Sequence, residues 1–260
     1  MNYDGFDPKD LEPFKDLIND LGHPSATAIG KALGGLFSGV LYYPTKLGIY
    51  TQYKLDEYQK KIATKLNEIP DENKDSSKLG LVMKEIEDSK YQLNSETLQE
   101  MFSELIKSTL DSKSNQCVSP RYSSILSQLN PDDAKFLKSM SESTMNNFPA
   151  VQFIFRSSNN PDIQQQSNIF VSPNYEPFEL IHNDSALNVL SSLGIIEIIF
   201  DRKLSMQKGI NFYKNVVLSN EYKSSANAIN NMTSASSSEG FIQFTAFGIS
   251  FINLVCKANH

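Results

Sequence analysis

Apolar side chains recur at spacings of three and four along most of the first 140 residues. Short dense runs of β-branched and aromatic residues replace that spacing further on. The cleanest periodic stretch is Leu98, Met101, Phe102, Leu105, Ile106 and Leu110, which predicts a helix with one buried stripe. Ser95 stands where an N-cap is needed, and Glu96 places a negative charge in the first turn. A helix over about 78–90 follows from Leu79, Val82 and Ile86, after a surface loop at 70–77. Ser119-Pro120 and Asn130-Pro131 each pair a capping residue with a proline suited to the first helical position. The first predicts a helix carrying Tyr122, Ile125, Leu126 and Leu129. The second predicts one carrying Ala134, Phe136, Leu137 and Met140, with Asp132 and Asp133 near its positive end. A weaker periodicity at Leu11, Phe14, Leu17, Ile18 and Leu21 predicts a short N-terminal helix, broken at Gly22–Pro24.

The stretch from Ala26 to Tyr53 is different in kind. It holds no charge from Ala32 to Thr45, and Gly30, Gly34, Gly35 and Gly39 recur at close spacing. Ser25 could cap a helix that Pro44 ends near Tyr43. One face carries Ile29, Leu33, Leu36, Phe37, Val40 and Leu41; a second carries the small residues Gly30, Gly34 and Ser38. Glycines four apart let helices approach closely, within a bundle, between protein copies or in lipid. Tyr42, Tyr43, Tyr50 and Tyr53 with Lys46 and Lys54 suit a membrane interface or a protein interface. A charged helix is predicted from about Lys46 to Asn67.

After Asn147 the pattern changes. Ala150–Phe155 reads as a short strand, 156–168 as a polar loop. Asn183 or Asp184 caps a helix with Leu187, Leu190 and Leu193, and Gly194 stands at its left-handed end. Ile195–Phe200 and Phe241–Thr245 read as strands separated by a long excursion that includes the Ser- and Asn-rich run 224–238. Thr245 then caps a last helix with Phe247, Phe251, Ile252 and Val255. Helix followed by a two-stranded ribbon is the outline of a winged-helix-like module. The expected fold is mainly α with a small α+β part. It comprises an N-terminal segment over 1–24, a helical region over 25–125, and a winged-helix-like domain with a long polar insertion over 126–260.

Composition narrows the function classes. The 260 residues are 40% hydrophobic, enough for a sizeable core, and carry a formal charge of −6, unfavourable to nonspecific nucleic-acid binding. Cys117 and Cys256 have no neighbour at metal-ligand spacing, which points to two reduced, buried thiols in a cytoplasmic protein. The first residues lack the basic start and apolar run of a secretory signal, and no window is long and apolar enough for a membrane span.

No catalytic constellation emerges. Gly30-Lys31 fails as a phosphate loop because Ser25 and Ala32 replace the required glycine and hydroxyl residue. His23, His182 and His260 are scattered, and His182 near Asp184 reads as helix capping. Glu197 with Asp201, Arg202 and Lys203 is a faint nuclease echo only. Arg202, Lys203, Lys208, Lys214 and Lys223 make the excursion mildly basic. The would-be recognition helix over 184–193 has no Arg or Lys to read base edges.

Three blocks together resemble the abortive infection alpha family of prokaryotic proteins. They are Ile29–Gly35 leading into the charged helix; Glu96–Leu110, Pro120 and Leu126–Leu137; and Leu187–Ile196 paired with Phe244–Val255. Order and spacing carry the resemblance, since each block is mostly caps and core positions. Ala246 departs from the pattern, where proline is common, and the Ser/Asn insertion is unusually polar. The resemblance implies a part in defence against phage by halting the infected cell, and it implies no chemistry, cofactor or metal. The expectation is a non-enzymatic effector acting through a membrane surface or a protein partner, a second copy of the chain included. The expected contact residues are Ile29, Gly30, Leu33, Gly34, Leu36, Phe37, Val40 and Leu41. A nucleic-acid-binding or regulatory module using Arg202, Lys203, Lys208 and Lys214 is the alternative. The chain is expected in the cytoplasm, with peripheral membrane contact.

Overall fold

The structure, a computed structural model, describes residues 24–41, 47–143, 145–157, 164–173, 180–220, 222–224 and 232–256. The helix expected near Leu11–Leu21 and the break expected at Pro44 lie outside these residues. The chain divides into two compact units. One runs to Ala134 and resumes at Ser250; the other is Lys135–Ile249. Helix predominates over strand, and all strands belong to one antiparallel sheet.

The first unit is helical. It contains α1 (Pro24–Val40), α2 (Gln52–Asn67), α3 (Leu79–Ser89), α4 (Glu96–Leu110) and α5 (Arg121–Gln128), and α6 (Pro131–Ser141) starts in it. Helix α4 lies against α2, α3 and α5, while α1 lies along α3. Every member of the α4 stripe, Leu98 through Leu110, is buried, at about 2 kcal/mol for each large apolar side chain removed from water. The Ser95 hydroxyl accepts from the Leu98 amide at 3.3 Å, the predicted cap. Asn130 caps α6 by accepting from the amides of Asp132 and Asp133, both at 2.8 Å, and Asp133 reciprocates by accepting from the Asn130 amide.

Three boundaries shift from the sequence reading. Helix α2 begins at Gln52 rather than near Lys46, capped by the Thr51 hydroxyl. Gly48 precedes it with φ +72°, a left-handed turn incompatible with continuing helix. Helix α1 starts at Pro24, one residue before the expected cap. Helix α5 starts at Arg121, with Pro120 as the cap residue rather than the first helical one.

The second unit holds β1 (Asn147–Ser157), β2 (Gln164–Val171), β3 (Ile181–His182), α7 (Asp184–Ser192), β4 (Ile196–Ile199), α8 (Gln207–Leu218) and β5 (Met232–Phe244). The helix α9 (Ala246–Val255) starts in it. The strand order is β3-β2-β1-β5-β4. The long β1–β5 ladder pairs Asn147 with Gln243 and runs out to Ser157 opposite Met232. Two expectations are corrected here. Polar residues Gln164–Asn168 form strand, not loop, because their backbones pair with β1. The Ser-rich run also forms strand: Ser234 to Ser238 pair with Arg156 to Gln152. Ladder hydrogen bonds need no apolar side chain, which is why composition hid both segments.

Helix α8, inside the supposed excursion, was not anticipated. Its Phe212, Tyr213 and Val216 pack with Val151, Phe153, Phe155 and Phe170 of the sheet. The Tyr213 hydroxyl donates to the Gly240 carbonyl at 2.7 Å and accepts from the Leu204 amide at 3.1 Å. At Gly240 a β-carbon would stand 2.1 Å from the Ile199 carbonyl oxygen, so β4 and β5 meet there only without a side chain. Capping follows the sequence reading: Asn183 accepts from the Ala186 amide, Thr245 from the Gly248 amide, and Gly194 takes φ +76° after α7.

Within the first unit, the last turns of α9 supply a closing element. Phe251 is buried edge-on to Tyr122, with ring centroids 5.3 Å apart, and the Ser108 hydroxyl donates to the Leu254 carbonyl at 3.3 Å.

Candidate functional site

Periodicity puts Ile29, Leu33, Phe37 and Leu41 on one side of α1, and the structure turns that side inward: all four are at most 1% exposed. Phe37 meets the Tyr58 ring of α2 edge-on at 5.9 Å. Gly30 and Gly34 are also buried, while Leu36 and Val40 are half-buried. The second glycine pair faces out: a β-carbon on Gly35 or Gly39 would meet nothing within 4 Å. Apart from Lys31, α1 carries no charge. Its solvent side is therefore small and nearly neutral, and its bulky side is committed to the helical core.

The apolar surface of this region comes next in the chain. Leu47 is 76% exposed, Ile49 45% and Tyr53 72%, whereas Tyr50 is buried. Burial raises the Tyr50 phenol above its ordinary range, partly offset by the backbone of Leu93. Tyr50 thus pins the turn, and Gly48 lets Leu47 and Ile49 project from it. Hydrophobic side chains this exposed, three within seven positions, mark a contact surface more often than they serve the fold.

A polar group that the sequence reading passed over lies inside the helical unit. Glu85 of α3 is 1% exposed. Its Oε1 accepts from the Thr109 hydroxyl of α4 at 2.6 Å, and its Oε2 is buried with no hydrogen-bond partner. Desolvation pushes this carboxyl up to about 8, against smaller opposing effects of Thr109 and Lys84. Tyr58 is fully buried near it, and desolvation raises its phenol well above the ordinary range. Its hydroxyl lies beside Ser89 but makes no hydrogen bond at bonding geometry, while Ser89 donates to Ile86. The signal was available: Val82, Glu85, Ile86 and Ser89 share one helical face, so Glu85 interrupts an apolar stripe.

A buried lysine in the same unit is paired. Lys65 of α2 bonds Glu104 and, at 2.6 Å, Glu100 of α4. Desolvation alone would lower its ammonium, but the two carboxylates outweigh that and raise it.

In the second unit the four predicted nucleic-acid contacts do not form a free basic face. Lys203 pairs with Glu239 at 2.6 Å, and Arg202 lies 3.5 Å from the Asp201 carboxylate. Lys208 and Lys214 are exposed on α8. Glu197, the nuclease echo, accepts from Gln243 at 3.0 Å. Among the described residues no group of three or more His, Cys, Asp or Glu could hold a metal ion, and no helix is long and apolar enough to cross a membrane.

Geometry and surface together define a protein of a helical unit and a sheet unit, with exposed apolar side chains before α2. The family model of abortive infection alpha matches residues 50–256, and the chain belongs to that family. The match starts at Tyr50, so α1 and the Ile29–Gly35 block precede it. No curated protein resembles the chain closely enough to count as a match. A solved structure of an uncharacterized protein from the hydrocarbon-degrading marine bacterium Alcanivorax borkumensis SK2 aligns with 55% of this chain and 94% of its own. Its identity is 13% and its TM-score 0.32, too low to bear on function.

Proposed function

We propose that this member of the abortive infection alpha family is a non-enzymatic phage-defence effector that acts by engaging a lipid surface through residues 26–53. The observation that carries the reading is the exposure of Leu47, Ile49 and Tyr53 beside a helix with almost no charge on its solvent side. Aromatic and aliphatic side chains on a turn enter the headgroup region favourably without spanning the bilayer. Ile29, Leu33, Phe37 and Leu41 would join such a contact only if α1 left the helical core.

The test is flotation with phosphatidylglycerol–phosphatidylethanolamine vesicles, paired with phage challenge and a membrane-potential readout. The chain should float, and Leu47→Glu with Tyr53→Glu should lower partitioning at least about ten-fold and weaken defence in step. Defence that persists in the double variant without any flotation would overturn the lipid contact. Flotation failing while the double variant still loses defence would point to a protein surface as the target.

A second reading is a nucleic-acid-binding or regulatory winged-helix module. In its favour, α7 precedes β4, which pairs with β5, in helix-then-ribbon order. Against it, β5 is an interior strand of a five-stranded sheet, and Arg202 and Lys203 already face carboxylates. A salt-sensitive DNA shift by the whole chain would favour it.

A further inference from the structure

A carboxyl group in a protein interior must either meet a cation, gather several donors or stay protonated. Glu85 meets the first two conditions poorly. One oxygen has a single donor, the Thr109 hydroxyl, and the other has none. The nearest ammonium on its own helix, Lys84, is turned toward Asp88, Ser123 and Ser124.

The surroundings of Glu85 are drawn from all the helices packed on α3. From α2 comes the buried Tyr58 phenol; from α3 itself, Lys84 and Asp88; from α4, Thr109. Helix α5 contributes Ser123 and Ser124, which hold Lys84. Helix α1 contributes no charge in this region: its one ionisable residue, Lys31, is exposed, and Phe37 packs edge-on against Tyr58. Of these groups only Thr109 and Lys84 favour an ionised Glu85, and desolvation outweighs both.

We propose that Glu85 is a proton-linked latch for α1: neutral, it lets α1 stay docked along α3; ionised, it releases α1 and uncovers Ile29, Leu33, Phe37 and Leu41. Helix α1 is the element to move. It lies before the family-matched span, carries only one charge, lies along α3, and meets the group around Glu85 where Phe37 packs edge-on against Tyr58. The inference rests on the lipid-surface reading only for its purpose, not for its mechanism.

The direction of the linkage follows from where the proton is held. With α1 docked, burial pushes the carboxyl up to about 8; on the proposed release, water would return it toward its ordinary 4.5. The docked state therefore holds one more proton between those values. Its advantage is complete below pH 4.5 and is lost as pH rises to 8, at about ten-fold in the release equilibrium per pH unit.

The test is hydrogen exchange on the full chain at pH 6 and pH 8, corrected for intrinsic rates and read separately over α1 and α4. Wild type should lose up to about 100-fold protection in α1 while α4 changes far less. Glu85→Gln, neutral at both pH values, should abolish the difference. Thr109→Val, which removes the sole donor yet leaves the carboxyl, should keep a pH dependence. Equal α1 protection at the two pH values in wild type, or an undiminished difference in Glu85→Gln, would overturn the latch. No vesicles enter this measurement, so a failed flotation leaves it intact, and a failed latch leaves flotation intact.

Discussion

The helical unit and the sheet unit keep their interiors together by different means. In the sheet unit the space between α8 and β1–β2 is filled by Val151, Phe153, Phe155, Phe170, Phe212 and Val216, and the buried Tyr213 hydroxyl is satisfied by the Gly240 carbonyl. In the helical unit, ionisable and polar side chains reach the interior: Glu85, Thr109, Gln99 and the Lys65–Glu104 pair. A core of rings depends on shape and is indifferent to pH. A core with an unpaired carboxyl depends on solution conditions, so its stability can be adjusted without changing a residue.

Four substitutions test that contrast, the largest effect first. Phe153→Ala should cost the sheet unit about 4 kcal/mol in denaturant unfolding, the same at pH 6 and pH 8. A clear pH dependence of that loss would erase the distinction between the units. Gly240→Ala should cost about 3 kcal/mol, because the added methyl meets the Ile199 carbonyl and the ladder must shift. If calorimetry finds this variant as stable as wild type, the close approach of β4 to β5 is not real. Lys65→Ala should cost the helical unit about 2 kcal/mol, since Glu104 is left buried with no cation; Lys65→Met with Glu104→Met should recover most of it. A double variant no better than the single one would mean that packing of the Lys65 stem matters more than its charge. Ser95→Ala should cost about 1 kcal/mol through the lost cap of α4, with no change in the sheet unit. Local exchange rising anywhere but the first turn of α4 would contradict it.

Legibility in the sequence followed the same divide. Helix ends written in hydroxyls, amides and prolines were readable: Ser95, Asn130, Asn183 and Thr245 all cap where expected. Strands held by backbone pairing alone were not. Ser234–Ser238 lies within a ladder with a composition ordinarily found in loops, because β1 supplies the backbone partners. Helix α8 was missed although Phe212, Tyr213 and Val216 stand at helical spacing, since the polar run around it dominated the reading. For the candidate surface, the bulky face of α1 was legible as a stripe. Its inward direction was not, because a stripe does not say which neighbour covers it. Glu85 was visible as a carboxylate on that kind of stripe in α3, and only burial on every side gave it meaning.

The closing turns of α9 have a consequence for how the chain is made. The Ser108 hydroxyl finds the Leu254 carbonyl 146 positions further along, and Tyr122 waits for Phe251. On a ribosome adding 5–20 residues per second, that is on the order of ten seconds during which α4 and α5 stand synthesised but uncovered. The helical unit therefore cannot finish folding as it emerges; it is completed last, after the whole sheet unit has been made. A chain that stops before Ser250 lacks this closing element and leaves the helical unit incomplete, a target for chaperones and proteases.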